Sequence, residues 1–152
     1  MYKNIVLYLL LFFSLQNHAC TCVGKRKIKN AIKKSDAIFS GIILKFNPLK
    51  IKIEGFPEDV ITEKAEYFVL VKNVYKGNLI KNDTIRIVTG LGNGDCGINF
   101  LVEKEYIIYA NYESKYCNYC ENIEKFLYTD ICTRTNFFDK TEDKKLKKKI
   151  KS

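Results

Sequence analysis

Residues 63–75, EKAEYFVLVKNVY, followed at once by Lys76-Gly77, decide the fold class of this chain. The stretch is rich in β-branched and aromatic residues, and it ends at a glycine. This composition and boundary are typical of a strand in a sheet. We therefore predict a long strand from Glu63 to Tyr75, with a turn after it.

Four further stretches are predicted to be strands for the same reason. They are Ala37–Phe46, Asp83–Thr89, Glu105–Ala110 and Lys125–Thr129. Gly41 lies inside the first of them, at a position where a barrel strand can bend.

A loop is predicted before the long strand, from Asn47 to Val60, because this segment holds both prolines and Gly55.

Helical spacing of apolar residues occurs only near the two ends of the chain. One short helix is predicted within Lys25–Lys34, and another from about Lys140 to Lys149, with Asp139 and Glu142 as its cap. Five strands between two terminal helices favour an all-β protein built on a closed or partly closed barrel.

The first 19 residues have the order of a secretory signal. Lys3 precedes an apolar run from Ile5 to Phe13, and a polar stretch then ends at Ala19. The run is too short to span a membrane. We predict cleavage after Ala19 and export, with no transmembrane segment in the mature protein. A lipoprotein anchored through Cys20 is the alternative.

Cleavage would remove the only histidine, His18, and leave a chain with neither His nor Trp. A Ser-His-Asp or Cys-His catalytic arrangement would then be impossible, and a zinc site would need Cys and carboxylates alone. We therefore expect a protein that is not an enzyme and that has no cofactor.

Composition suits one small exported domain. Six cysteines, an even number, indicate disulfides in an oxidising compartment. We place the domain at residues 20–138 and a lysine-rich helix or tail at residues 139–152. The lysines from Lys144 to Lys151 are either a solvated helix end or an adhesive for an anionic surface or polysaccharide.

The cysteines form a constellation at three places: Cys20-Thr21-Cys22-Val23, Asp95-Cys96-Gly97 after a glycine-rich loop, and Cys132 after the last strand. Two cysteines separated by one residue do not easily bond each other, so they are better placed to reach two distant parts of a barrel. Such closures of roughly 75 to 110 residues would stabilise the fold by about 4 to 5 kcal/mol.

The ordered set of these motifs resembles the N-terminal, netrin-like domain of the tissue inhibitors of metalloproteinases. The matching elements are the Cys-Thr-Cys-Val start at Cys20, the strand end at Val74-Tyr75-Lys76-Gly77, Cys96-Gly97, the strand Glu105–Ala110 and Thr129-Asp130-Ile131-Cys132. The resemblance covers nearly all of the mature chain, as a short single-domain member. It implies a five-stranded Greek-key barrel of the oligonucleotide/oligosaccharide-binding (OB) type.

The resemblance also implies a function and a disulfide pattern. Cys20 would pair with Cys96 and Cys22 with Cys132. The free amine and carbonyl of Cys20 would chelate the catalytic zinc of an extracellular metalloprotease, which is chemically sound because an α-amine has a pKa near 8. Thr21 would enter the specificity pocket of the protease. The flanking contacts would come from Cys22, Val23, Asn93, Gly94 and Asp95.

The sequence departs from the family in three features. It has no cysteine between Cys22 and Cys96, and a lysine tail stands where animal members have a cysteine-rich module. Asp95 brings a carboxylate beside the proposed contact, where it would oppose docking against an acidic cleft. A non-inhibitory module that binds a protein or an anionic polysaccharide is therefore the alternative function.

Cys117-Asn118-Tyr119-Cys120 is extra to the family pattern. We predict a local disulfide between Cys117 and Cys120 at a loop tip, with a redox-active pair and a zinc site as the alternatives. The aromatic residues suit core packing better than a base-stacking platform, so nucleic acid is not the expected partner.

Overall fold

The computed structural model describes Cys22 and residues 26–53, 60–92, 94–113 and 126–150. Both predicted helices are present, as α1 (Ile28–Lys34) and α2 (Lys140–Ile150). The strands are β1 (Ala37–Ile53), β2 (Val60–Lys76), β3 (Thr84–Thr89), β4 (Glu105–Glu113), β5 (Phe126–Tyr128) and β6 (Asn136–Phe137). None of the helices in the described part is long and apolar enough to span a membrane.

The first five strands close into a barrel. β2 lies between β1 and β3, β5 pairs in parallel with β3 and antiparallel with β4, and β4 returns to β1. The closing pair runs from Ala37 opposite Ala110 to Ile42 opposite Glu105. The predicted fold class, an all-β barrel of the OB type with short flanking helices and a disulfide, is confirmed.

Side chains of β4 alternate between two apolar clusters. Tyr106, Ile108 and Ala110 point into the barrel interior, where they pack with buried residues of β1, β2 and β3. Ile107 and Tyr109 point to the outside of the barrel, and they are covered there by the two helices. Because both faces of β4 are buried from Tyr106 to Ala110, the sequence of this part is continuously apolar rather than alternating.

The predicted loop from Asn47 to Val60 is wrong over much of its length. β1 continues through Pro48 to Ile53, and β2 already begins at Val60, so that only 54–59 separate them. Beyond Ile42, β1 is no longer paired with β4. A proline is tolerated on such an edge, because the hydrogen bond that it cannot donate is not needed there.

Gly41 lies where β1 and β2 approach closely. A Cβ atom at this position would be 2.6 Å from Cγ1 of Val69 and 2.8 Å from the carbonyl oxygen of Leu70. The register of the two strands shifts between Ser40 and Gly41. Gly41 was predicted as a position where the strand can bend, and the structure shows a register shift and close contact with β2 there.

The C-terminal helix is part of the packed structure. Asp139 caps α2, accepting hydrogen bonds from the amides of Thr141 and Glu142 at 3.0 and 3.2 Å. Leu146 is completely buried against the barrel. The side chain of Glu142 binds other partners, described below, rather than returning to the cap. The two-residue strand β6, which pairs with β4, was not predicted.

Candidate functional site

Cys22 and Cys132 form a disulfide that joins the N-terminal segment to the far end of the barrel sequence. Their Cα atoms are 5.1 Å apart, and 110 residues separate them along the chain. This pairing, which the family resemblance implied, is confirmed. The disulfide fixes Cys22 beside the turn that follows β5.

The turn that carries Cys132 is organised by one carboxylate. Oδ1 of Asp130 accepts hydrogen bonds from the amides of Cys132 and Thr133, both at 2.9 Å. The amide of Ile131, which lies between Asp130 and Cys132, donates a hydrogen bond to the carbonyl oxygen of Cys96 at 3.0 Å. The turn is thereby connected to the loop that contains Cys96, so Cys22 and Cys96 belong to one edge of the barrel.

Asp95 organises the loop that precedes Cys96. Its carboxylate accepts hydrogen bonds from the amides of Leu91 at 2.9 Å, Gly92 at 2.8 Å and Gly97 at 3.3 Å. The ammonium group of Lys64, on β2, lies 3.4 Å from the same carboxylate. Asp95 therefore acts as the internal anchor of a compact loop.

Two glycines make this loop compact. A Cβ atom on Gly90 would collide with the carboxylate of Asp95, and one on Gly97 would collide with the backbone carbonyl of Gly90. Cys96 itself has a φ of 61°, a left-handed conformation that non-glycine residues adopt rarely. The loop thus has glycines at the two positions where a side chain would collide, and one non-glycine residue, Cys96, in a left-handed conformation.

The negative charge of Asp95 is largely compensated within the loop. Burial raises the pKa of this carboxyl, but the amides of Leu91 and Gly92 and the charge of Lys64 outweigh burial and hold the pKa below its ordinary value. The carboxylate of Asp95 is therefore ionised, and the amides that donate to it belong to its own loop. The expected repulsion between this carboxylate and an acidic cleft is weaker than the sequence indicates.

Arg134 connects Arg26 with the C-terminal helix. One guanidinium nitrogen donates to the carbonyl oxygen of Arg26 at 2.9 Å, and another donates to Glu142 at 2.7 Å. Glu142 also accepts a hydrogen bond from the hydroxyl of Tyr109 at 2.5 Å. Burial of Tyr109 and this bond to a carboxylate raise the pKa of the Tyr109 hydroxyl.

The predicted site residues are distributed as follows. Gly94 is exposed, with a φ of 94°, in the loop anchored by Asp95. Cys96 is disulfide-bonded to a cysteine outside the described residues, so its pairing with Cys20 stays a prediction. The other predicted positions outside the described residues are the signal segment 1–19 and Cys20, Thr21, Val23, Asn93, Cys117 and Cys120.

The roles of Lys64, Asp130 and Arg134 were not predicted, although Asp130 belongs to the Thr129-Asp130-Ile131-Cys132 motif. Asp130 had a recognisable signal, since an aspartate two residues before a turn amide commonly caps that turn. Lys64 had none, because Asp95 lies 31 residues away in the sequence. Arg134 binds Glu142, 8 residues later, and the carbonyl oxygen of Arg26, 108 residues earlier, and no local pattern predicts these contacts.

The described residues contain no group of three or more side chains suited to hold a metal ion. Comparison of the chain with models of known protein families gave no match, and a search of curated proteins gave none either. The resemblance to metalloproteinase inhibitors therefore rests on the sequence motifs.

Proposed function

We propose that this protein is a secreted inhibitor of zinc metalloendopeptidases that acts through its N-terminus. The observation that carries this proposal is the disulfide between Cys22 and Cys132. Cys22 lies two residues after Cys20, the proposed chelating residue. A disulfide of this kind persists in oxidising compartments, which supports export.

The proposed mechanism uses the new N-terminus created by cleavage after Ala19. The α-amine and carbonyl of Cys20 bind the catalytic zinc of the protease in place of its water, and Thr21 enters the adjacent specificity pocket. Zinc proteases keep an open coordination position for water or substrate, which such a chelating pair can occupy. The zinc belongs to the protease, so the inhibitor needs no metal of its own.

Rigidity of the barrel edge supports this mechanism. Association costs free energy for every segment that becomes ordered on binding, and a segment that is ordered beforehand avoids that cost. The disulfide holds Cys22, and the hydrogen bond from Arg134 holds Arg26, both on the C-terminal side of the proposed chelating residue. The loop anchored by Asp95 lies at the same edge through the contact between Ile131 and Cys96.

One added residue tests the mechanism. A protein starting at Cys20, as verified by its intact mass, is compared with a variant carrying one extra Ala before Cys20. The extra residue moves the amine away from the zinc without entering the barrel. We expect the mature protein to inhibit at least one member of a panel of extracellular zinc proteases, and the extended variant to lose that inhibition with an unchanged melting temperature.

A variant with one Ala added after Ser152 is the matched control, and it should inhibit as well as the mature protein. Equal potency of the N-terminally extended variant would contradict the chelation mechanism. No inhibition across the panel would instead favour the non-inhibitory module that binds a protein or an anionic polysaccharide.

A further inference from the structure

The positive charge of this chain is concentrated in two short segments. Residues 26–34 and 140–150, which contain α1 and α2, hold eleven Lys or Arg residues and two acidic residues. Their net charge of +9 equals that of the whole chain, so the rest of the sequence is balanced. A charge asymmetry of this size creates a strong local field and indicates an anionic partner.

The two segments pack on the same outer face of the barrel. Ala31 of α1 and Leu146 of α2 are buried in the same apolar cluster on the outer face of the sheet. Arg134 binds both the carbonyl of Arg26, before α1, and the carboxylate of Glu142, in the first turn of α2. Their lysines therefore belong to one surface, which we call the two-helix surface.

The two acidic residues of α2 leave most of this positive charge in place, because Glu142 pairs with Arg134 and Asp143 neutralises Lys147 alone. The side chain of Glu142 is 12% exposed and is held by Arg134, and that of Asp143 is 13% exposed. Asp143 accepts a hydrogen bond from the hydroxyl of Tyr75 at 2.6 Å and pairs with Lys147 at 2.9 Å. The exposed basic residues of the two-helix surface include Lys27, Lys29, Lys33, Lys34, Lys140, Lys144, Lys145 and Lys148.

A groove adjoins α2 on this side of the barrel. Its volume is about 430 Å³, within the range of small-molecule sites. Lys81 and Lys147 supply ammonium groups to its lining, and Asn73 supplies an amide. Val74 and Leu79 give it aliphatic walls. The groove thus combines cationic donors with apolar surface, as the acid group and the ring face of an acidic sugar require.

Two other polyanions fit this surface less well. A helix that binds a membrane needs an exposed apolar face, whereas Ala31 and Leu146 are buried against the barrel. Single-stranded nucleic acid needs exposed aromatic rings for stacking, whereas the one aromatic residue of the groove, Tyr75, is 9% exposed. We propose that the two-helix surface and its groove bind an acidic polysaccharide, independently of protease inhibition.

Three dextrans with a common backbone test the proposal. Binding of the full mature protein is measured to dextran sulfate, to carboxymethyl dextran and to neutral dextran at increasing salt. We expect binding to at least one of the two acidic polymers, which also shows whether sulfate or carboxylate is preferred, and none to neutral dextran. Added salt should weaken binding, because these charges are exposed and screened.

A triple substitution, Lys144→Gln, Lys145→Gln and Lys148→Gln, should weaken binding about tenfold, as expected for the loss of several exposed ion pairs. The matched control changes three exposed lysines elsewhere, Lys45, Lys50 and Lys104, to Gln, with the same loss of charge. We expect the control to weaken binding less than about twofold, since net charge alone acts weakly at moderate salt.

Lys81→Gln should weaken binding as well, because Lys81 lies in the groove and outside both helices. Melting temperatures of all the variants verify that they fold. The proposal is overturned if the triple variant and its control weaken binding equally, or if neither acidic dextran binds. It is also overturned if single-stranded or duplex DNA, or vesicles with anionic lipid, bind more tightly than either dextran at the same salt.

Discussion

Arg134 donates a hydrogen bond to the carbonyl oxygen of Arg26, which lies 108 residues earlier in the chain and 2.9 Å away. The same guanidinium is paired with Glu142, so one side chain connects the N-terminal segment, the turn after Cys132 and the C-terminal helix. The parts of the molecule that carry the two proposals are therefore joined at a single polar network.

A double-mutant cycle measures this network. Arg134→Gln leaves the carboxylate of Glu142, which is 12% exposed, without its main partner, so we expect a loss of about 1 to 3 kcal/mol in the free energy of unfolding. Glu142→Gln should cost a similar amount, and the double variant less than the sum of the two. Chemical denaturation gives each value.

The pair between Lys50 and Glu63 is the control for that cycle. Its atoms are 3.6 Å apart, and the two side chains are 71% and 59% exposed. Lys50→Gln should therefore cost less than about 1 kcal/mol. Additive losses at Arg134 and Glu142, or an equal loss at Lys50, would show that the network contributes no more than an ordinary surface pair.

The pH dependence of stability provides a second prediction. Burial raises the pKa of Glu142, but its hydrogen bonds with Arg134 and Tyr109 outweigh burial and lower it below its ordinary value of 4.5. The carboxylate thus stabilises the folded state above about pH 4.5, and this contribution is lost as the pH falls through the lower, folded-state pKa.

Stability of the parent protein and of Glu142→Gln, measured from pH 7 down to pH 3, should therefore converge at the acidic end. Glu103→Gln, at an exposed position of the same charge, controls for general charge effects. A gap between parent and Glu142→Gln that stays constant over this range would mean that ionisation of Glu142 does not stabilise the fold.

The barrel was predictable because its strands carry strong local patterns. β4 and the core of β2 are apolar runs of β-branched and aromatic residues, and β2 has a glycine just past its end. The part of β1 from Asn47 to Ile53 was predicted as a loop, because a proline in an exposed stretch is also typical of a loop. An edge strand nevertheless tolerates a proline. Local pattern does not reveal which strands lie at an edge.

The candidate site was predictable only in part. The pairing of Cys22 with Cys132 was implied by the family resemblance, because spacing alone left the connectivity of the six cysteines open. By contrast, Asp95 was expected to face a partner, and the structure shows its carboxylate bound to the amides of its own loop. A carboxylate in a glycine-rich segment has many amides within reach, but their direction depends on backbone angles that residue types alone do not fix.

Gly97 tests how tightly this loop is packed. Gly97→Ala would place a methyl group against the backbone carbonyl of Gly90, which cannot move without displacing the loop. We expect a loss of about 1 to 3 kcal/mol, as for overpacking. Asn99→Ala, at an exposed position two residues later, should change stability by less than about 0.5 kcal/mol. Thermal and chemical denaturation distinguish the two, and equal effects would mean that the loop is loosely packed.

The last prediction concerns the disulfide between Cys22 and Cys132. Replacing both cysteines by Ser should lower the free energy of unfolding by about 2 to 5 kcal/mol, as for loss of a native disulfide in a small secreted domain. Inhibition measured well below the melting temperature should fall by more than about tenfold, because the proposed chelating segment loses its covalent anchor and must be ordered on binding. Cys117→Ser with Cys120→Ser is the matched control, since it removes two cysteines that the family pattern does not use, and it should leave inhibition unchanged. A folded variant without the disulfide between Cys22 and Cys132 that inhibits as well as the parent would show that inhibition does not need this disulfide. That result would remove the observation on which the proposed function rests.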